Sequence, residues 1–101
     1  MPVTVSHKDQ MDLIVAVLRG LGANAEEAFI QADVWTEADL RGIHSHGVQR
    51  LPVMVTRIQK GLLNVNAKPE KTWSTDSVLN IDGKDGFGTA ICELGLRELT
   101  P

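Results

Sequence analysis

From Ile14 to Leu62 apolar residues recur every three or four positions, the period at which an α-helix presents one face. Ser6, with Asp9 three residues later in place of the usual Glu, gives a capping-box-like start to a first helix carrying Ile14, Val17, Leu18 and Leu21, and Gly20 and Gly22 end it. Asn24 followed by Glu27 is a second N-cap signal, and Ala28, Ala32, Trp35 and Ala38 carry a second helix to about Leu40. Only Gly22 and Ala23 join the two, so the pattern predicts an antiparallel pair that buries Ile14, Leu18, Phe29 and Trp35 together. A third helix is predicted from Val48 through Leu51, Val55, Ile58 and Leu62, with Pro52 near its first turn, where a proline is tolerated.

Beyond Gly61 and a turn-rich connector from Asn64 to Pro69 the period changes. Lys71-Thr72-Trp73-Ser74 and Val78-Leu79-Asn80-Ile81 read as two short strands, with Asp76-Ser77 as the turn between them. Asp82 to Gly88 is a glycine-rich loop, and Thr89 is the expected cap of a last helix carrying Ile91, Leu94 and Leu99. The predicted class is α+β: an N-terminal bundle of two to three helices over 6–62, then a strand, loop and helix part over 69–101. Two strands leave their edges and a face uncovered, so the strands are expected to need a larger sheet that residues 1–101 do not contain.

The 101 residues allow one small domain. A chain this size buries only about two-thirds of its unfolded surface, and the aromatic content of 4% leaves the core modest. A net charge of -3, a pI near 5.5 and the lack of any dense Lys/Arg run argue against a nucleic-acid partner. No apolar run approaches the ~20 residues that cross a bilayer, and the N-terminus lacks a basic-then-apolar leader, so a soluble, cytoplasmic protein without a membrane partner is expected. Cys92 has no second cysteine to pair with and is expected to be a small buried thiol.

Candidate chemistry concentrates in Arg41-Gly42-Ile43-His44-Ser45-His46-Gly47-Val48-Gln49-Arg50. If the third helix begins near Ser45, His46 and Arg50 lie four apart and project from one face. An imidazole exchanges a proton near neutral pH and a guanidinium grips a carboxylate with two charge-assisted hydrogen bonds, a pairing that suits a hydroxy acid. Ser45 would cap the helix or bond the substrate. The spacing equally allows a plain surface: Ser45 as an N-cap only, His46 as a polar first-turn residue and Arg50 as a solvated charge. His44 and His46 form a chelate-like pair, but zinc needs three or four protein ligands and His7 and Cys92 are distant in sequence, so no metal is expected. Gly83 to Gly88 could present amides to an anion, yet it lacks both G-x-G-x-x-G and G-x-x-x-x-G-K-[ST], which favours a plain turn.

The series Ala32-Asp33, Ala38-Asp39-Leu40-Arg41-Gly42, Ser45-His46-Gly47-Val48, Arg50-Leu51-Pro52, Gly61-Leu62, Ala67-Lys68-Pro69 and Asp82-Gly83 to Gly86-Phe87-Gly88 closely resembles the N-terminal signature of the malate/L-lactate/ureidoglycolate dehydrogenase family, over roughly Ser6 to Leu96. The resemblance implies an oxidoreductase exchanging a hydride between NAD or NADP and a small 2-hydroxy or 2-oxo acid such as malate, lactate or ureidoglycolate. It implies a cofactor fold other than the Rossmann arrangement, so the missing G-x-G-x-x-G is no objection. By similarity His46 is the catalytic acid/base, Arg50 holds the substrate carboxylate and Ser45 hydrogen-bonds the substrate. His44 receives no role and no cofactor-binding residue is assigned. The His44-Ser45-His46-Gly47 form is similar to that of ureidoglycolate dehydrogenases, but a single position does not set the substrate. Family members are several times longer and homodimeric. The resemblance therefore implies an N-terminal portion that supplies the substrate-side half of a site, is homodimeric when full length and is inactive alone. The competing expectation is a non-catalytic dimerisation or docking module derived from such an enzyme.

Overall fold

The computed structural model describes residues 4–100. The first two helices form where their caps lie: α1 spans His7–Gly20 and α2 spans Ala25–Leu40. Ser6 Oγ accepts from the Asp9 N–H at 3.1 Å and Asn24 Oδ1 from the Glu27 N–H at 2.8 Å, each satisfying an amide that the helix start leaves unpaired. Both ends close alike. Past α2, Gly42 lies at φ 78°, its N–H donates to Asp39 O at 3.0 Å, and the Ile43 N–H reaches back to Ala38 O at 2.8 Å, a Schellman arrangement that needs the left-handed residue glycine supplies. Helix α3 is Leu51–Gln59, the strands are β1 (Glu70–Thr75) and β2 (Val78–Asp82), and α4 is Gly88–Leu99, so the predicted α+β order holds.

The core is the α1–α2 seam closed by a plug from the far end of the chain. Ile14 and Leu18 of α1 meet a surface of α2 that includes Ala28, Ala32 and Trp35, while Phe87, just before α4, is fully buried. Phe29 departs from the expectation: it is 56% exposed, and Ile30 is buried in its place. The physical reason is that α2 contacts α1 on one side and α4 on another, leaving Phe29, about 100° round from Ala28, on the open sector between. Cys92 is likewise exposed rather than buried. Ala90 and, partly, Leu94 face inward from α4 one turn apart, which carries Cys92 to the far side. Thr89 does not cap α4; its Oγ1 donates to Gln31 Oε1 at 2.9 Å, tying α4 to α2 through a largely buried pair. Leu62 lies beyond the end of α3 and is 67% exposed.

The strands pair antiparallel about the Asp76-Ser77 turn, with Trp73 opposite Leu79 and an irregularity between Trp73 and Thr75. Every residue of β1 is exposed, and β2 turns only Leu79 and Ile81 partly inward, with Ile81 lying over Gly95 of α4. The hairpin thus projects, and the Cα radius of gyration is 15.0 Å where ~13 Å is usual for about 100 residues. No helix among the described residues is long and apolar enough to cross a membrane.

Candidate functional site

The segment after the Gly42 turn is not the start of a helix. His44–His46 and Val48–Arg50 are two short 3-10 turns, with Gly47 extended between them, and α3 begins only at Leu51 with Pro52 in its first turn. His46 and Arg50 therefore do not share a helix face as the spacing predicts, and Ser45 caps no helix. The cause is Asp39, in the last turn of α2. Its Oδ2 accepts from the Val48 N–H at 2.9 Å and from Gln10 Nε2 at 2.8 Å, and its Oδ1 pairs with His44 Nδ1 at 2.9 Å. This carboxylate pulls the chain inward at Val48 and breaks the helix that would otherwise run back to Ser45.

Gly47 is buried against the same carboxylate, and a Cβ built there would collide with the Asp39 carboxylate oxygens. The glycine of Ser-His-Gly is thus required by close approach. Burial pushes the Asp39 carboxyl up, but the hydrogen bonds from Val48, His44 and Gln10 outweigh it and hold the group below the usual carboxylate range.

Within this frame Ser45, His46 and Arg50 are brought together after all. Ser45 Oγ lies 2.9 Å from His46 Nδ1, and Arg50 Nε donates to the Ser45 carbonyl at 2.7 Å. The second bond fixes the guanidinium while leaving its two terminal nitrogens for an end-on grip. His46 and Arg50 line one cavity of about 240 Å³ between α2, α3 and the start of α4. Gln31, Val34 and Trp35 of α2 and Thr89 of α4 form the walls opposite α3, and no carboxylate lines it. His44 is turned away to Asp39, and among the described residues no group of three or more His, Cys, Asp or Glu side chains could hold a metal ion.

This cavity alone does not accommodate a dinucleotide. The cavity lies below the 300–1,000 Å³ usual for cofactor sites. The glycine loop is closed on itself: the Lys84 N–H donates to Asp82 Oδ1 and the Gly86 N–H to Gly83 O, so both amides are already used. A Cβ at Gly83 would collide with Ile91 and one at Gly86 would press on Ala67, which makes these glycines packing positions.

Spacing did not single out Asp39, Gln31, Thr89 or Arg57, the last of which lines the cavity from α3. Arg57 carried the one available signal, since seven residues past Arg50 is close to two helical turns. The other three depend on contacts across the fold.

The malate/L-lactate dehydrogenase family pattern matches residues 5–100. The chain is 36% identical over 93 residues to malate/(S)-sulfolactate dehydrogenase of Methanothermus fervidus, covering 92% of this chain and 27% of that protein. A dehydrogenase structure from Sinorhizobium meliloti superposes with a TM-score of 0.92 at 36% identity, over 96% of this chain and 30% of the other. Malate dehydrogenase from Pyrococcus horikoshii gives 0.90 at 37% identity, over 94% and 27% respectively. The chain thus spans little more than a quarter of the length of such relatives, but almost all of it is matched in sequence and in fold. With His46 and Arg50 on one cavity and residues 5–100 matched by the family pattern, the chain belongs to the malate/L-lactate dehydrogenase family.

Proposed function

We propose that this chain forms the substrate-side half of an oxidoreductase site for a 2-hydroxy or 2-oxo acid. The observation that carries the reading is the convergence of His46 and Arg50, from different turns, on one cavity free of carboxylates. Arg50, braced through Nε, grips the acid's carboxylate with its two terminal nitrogens. With Nδ1 protonated and bonded to Ser45 Oγ, His46 keeps Nε2 free to take the hydroxyl proton in oxidation and return it in reduction. Ser45 holds the imidazole orientation. Trp35 and Val34 supply an apolar wall beside the carbon that changes oxidation state.

NAD or NADP is the hydride partner in this reading, and the steps above concern the acid and its proton alone. Malate, lactate, sulfolactate or ureidoglycolate each present the carboxylate and adjacent oxygen that Arg50 and His46 require.

Calorimetric titration of the 101-residue chain with L-lactate, with and without Arg50→Gln, tests the substrate half. Lactate binding that Arg50→Gln weakens by roughly tenfold or more is expected; binding indifferent to Arg50 contradicts the reading. Titration with NADH and NADPH, expected to give no heat of binding, addresses the cofactor half, and micromolar binding would show a cradle that the cavity geometry does not suggest.

A second reading, a docking or dimerisation module, is favoured by one observation. Phe29, Leu96 and Leu99 are more than half exposed on α2 and α4, a pattern suited to contact with another protein surface. Sedimentation of the chain alone would show concentration-dependent dimers on this reading and a monomer on the first.

A further inference from the structure

From the arrangement of α3 we infer that the cavity selects a dianionic acid, with Arg57 as the residue that receives the second anionic group. The inference rests on the reading of Arg50 and His46 above and names the substrate class of that site.

Arg50, Val53, Met54 and Arg57 all line the cavity. Arg50 ends the 3-10 turn that leads into α3, and Val53, Met54 and Arg57 follow it on α3, so the lining has a guanidinium at each end and apolar side chains between. The helical rise separates the two arginine Cα atoms by about 10 Å, a gap that two long side chains extended over a shared cavity can narrow to the spacing of the acid groups at either end of a short carbon chain. Val53 and Met54 offer that chain an apolar floor. The lining holds two guanidinium groups and no carboxylate, in a protein of net charge -3. Arg41 and Arg97 are paired with Glu37 and Glu26, whereas no ion pair joins Arg19, Arg50 or Arg57 to an acid among the described residues, and of these three only Arg50 and Arg57 line the cavity.

A monoanionic acid gripped by Arg50 leaves the exposed Arg57 guanidinium to water, without an acidic partner. An acid with a terminal carboxylate or sulfonate satisfies both ends. The planar guanidinium suits either group because each presents two oxygens to its fork.

The test is a titration of the isotopically labelled 101-residue chain with L-malate and L-lactate at fixed ionic strength, followed by NMR, on the unsubstituted chain and on Arg57→Gln, Arg57→Lys and Arg50→Gln. Arg57 is exposed, so its substitution leaves the fold intact, as circular dichroism will verify. The inference expects malate to bind about tenfold more tightly than lactate, Arg57→Gln to abolish that preference while lactate affinity stays within about twofold, and Arg57→Lys to retain part of it. Equal binding of the two acids to the unsubstituted chain, or an Arg57→Gln loss shared by both, overturns it. Arg50→Gln separates the two levels. If it weakens both acids, the substrate-side reading stands even where Arg57 fails, and if it weakens neither, that reading falls whatever Arg57 does. An unsubstituted chain that binds neither acid overturns both. A sulfolactate arm, read against malate, tells whether the second group is preferred as sulfonate or carboxylate.

Discussion

Asp39 sets the geometry of the site without touching its cavity. It is part-buried, accepts from Val48 and Gln10 and pairs with His44, and the 3-10 turns that carry His46 and Arg50 hang from it. Replacing it by Asn removes the charge that draws these donors in and is expected to cost about 1–3 kcal/mol, measurable as a shift in the urea midpoint. Gly47→Ala, which forces a methyl into the same carboxylate, is expected to destabilise by a similar ~1–3 kcal/mol and to weaken acid binding by displacing His46. The pH dependence follows in sign. Because the folded Asp39 carboxyl is held below its usual value, its contribution is complete above about pH 4 and is lost as the pH falls through the lowered folded value. Stability measured from pH 6 down to pH 3 should therefore decline, and Asp39→Asn should flatten part of that decline; an unchanged slope would contradict the role. The types and proximity of Ser45, His46 and Arg50 made them legible in the sequence. Asp39 stands in the quoted family signature, but its function depends on a turn at Gly42 and a bond to Gln10 on another helix, and one-dimensional spacing carries neither.

At the scale of elements, the caps of the first two helices are readable in the sequence, whereas Thr89 and Ser45 cap nothing. Ser6 and Asn24 cap α1 and α2 as their spacing predicts, because that bond is local and closes within three residues. Asn24→Ala is expected to cost about 1 kcal/mol of stability, and Asn24→Ser almost nothing, in thermal or urea unfolding. The start of α3 was less legible, since a single tertiary hydrogen bond from Val48 to Asp39 moved it to Leu51. The same holds for Phe87, a loop residue between glycines that no period marks, yet which fills the centre of the core. Phe87→Ala is expected to cost ~3–5 kcal/mol, enough to leave a chain of this size largely unfolded, whereas Phe29→Ala should be nearly neutral because that ring is exposed. Equal losses at the two positions would refute the assignment of the core.

As a whole molecule, the chain concentrates its core at the α1–α2 seam and projects a hairpin with little cover. The accessible surface of 6888 Å² exceeds the ~5,600 Å² typical of a compact monomer of 11.0 kDa, consistent with a chain matching little more than a quarter of its relatives' length. Small-angle scattering of the dilute chain should give a radius of gyration near 15 Å, and a value near 13 Å would mean that the hairpin folds back onto the helices. The expectation of an uncovered two-stranded sheet rests on the same physics, since two strands alone leave unpaired edges and an open face. The account stands most directly on one measurement: an NMR titration of the chain with a 2-hydroxy acid, following the His46 imidazole and the Arg50 guanidinium together. Both sets of signals are expected to move along one curve with a common dissociation constant. Movement of either without the other, or of neither, would contradict the shared site.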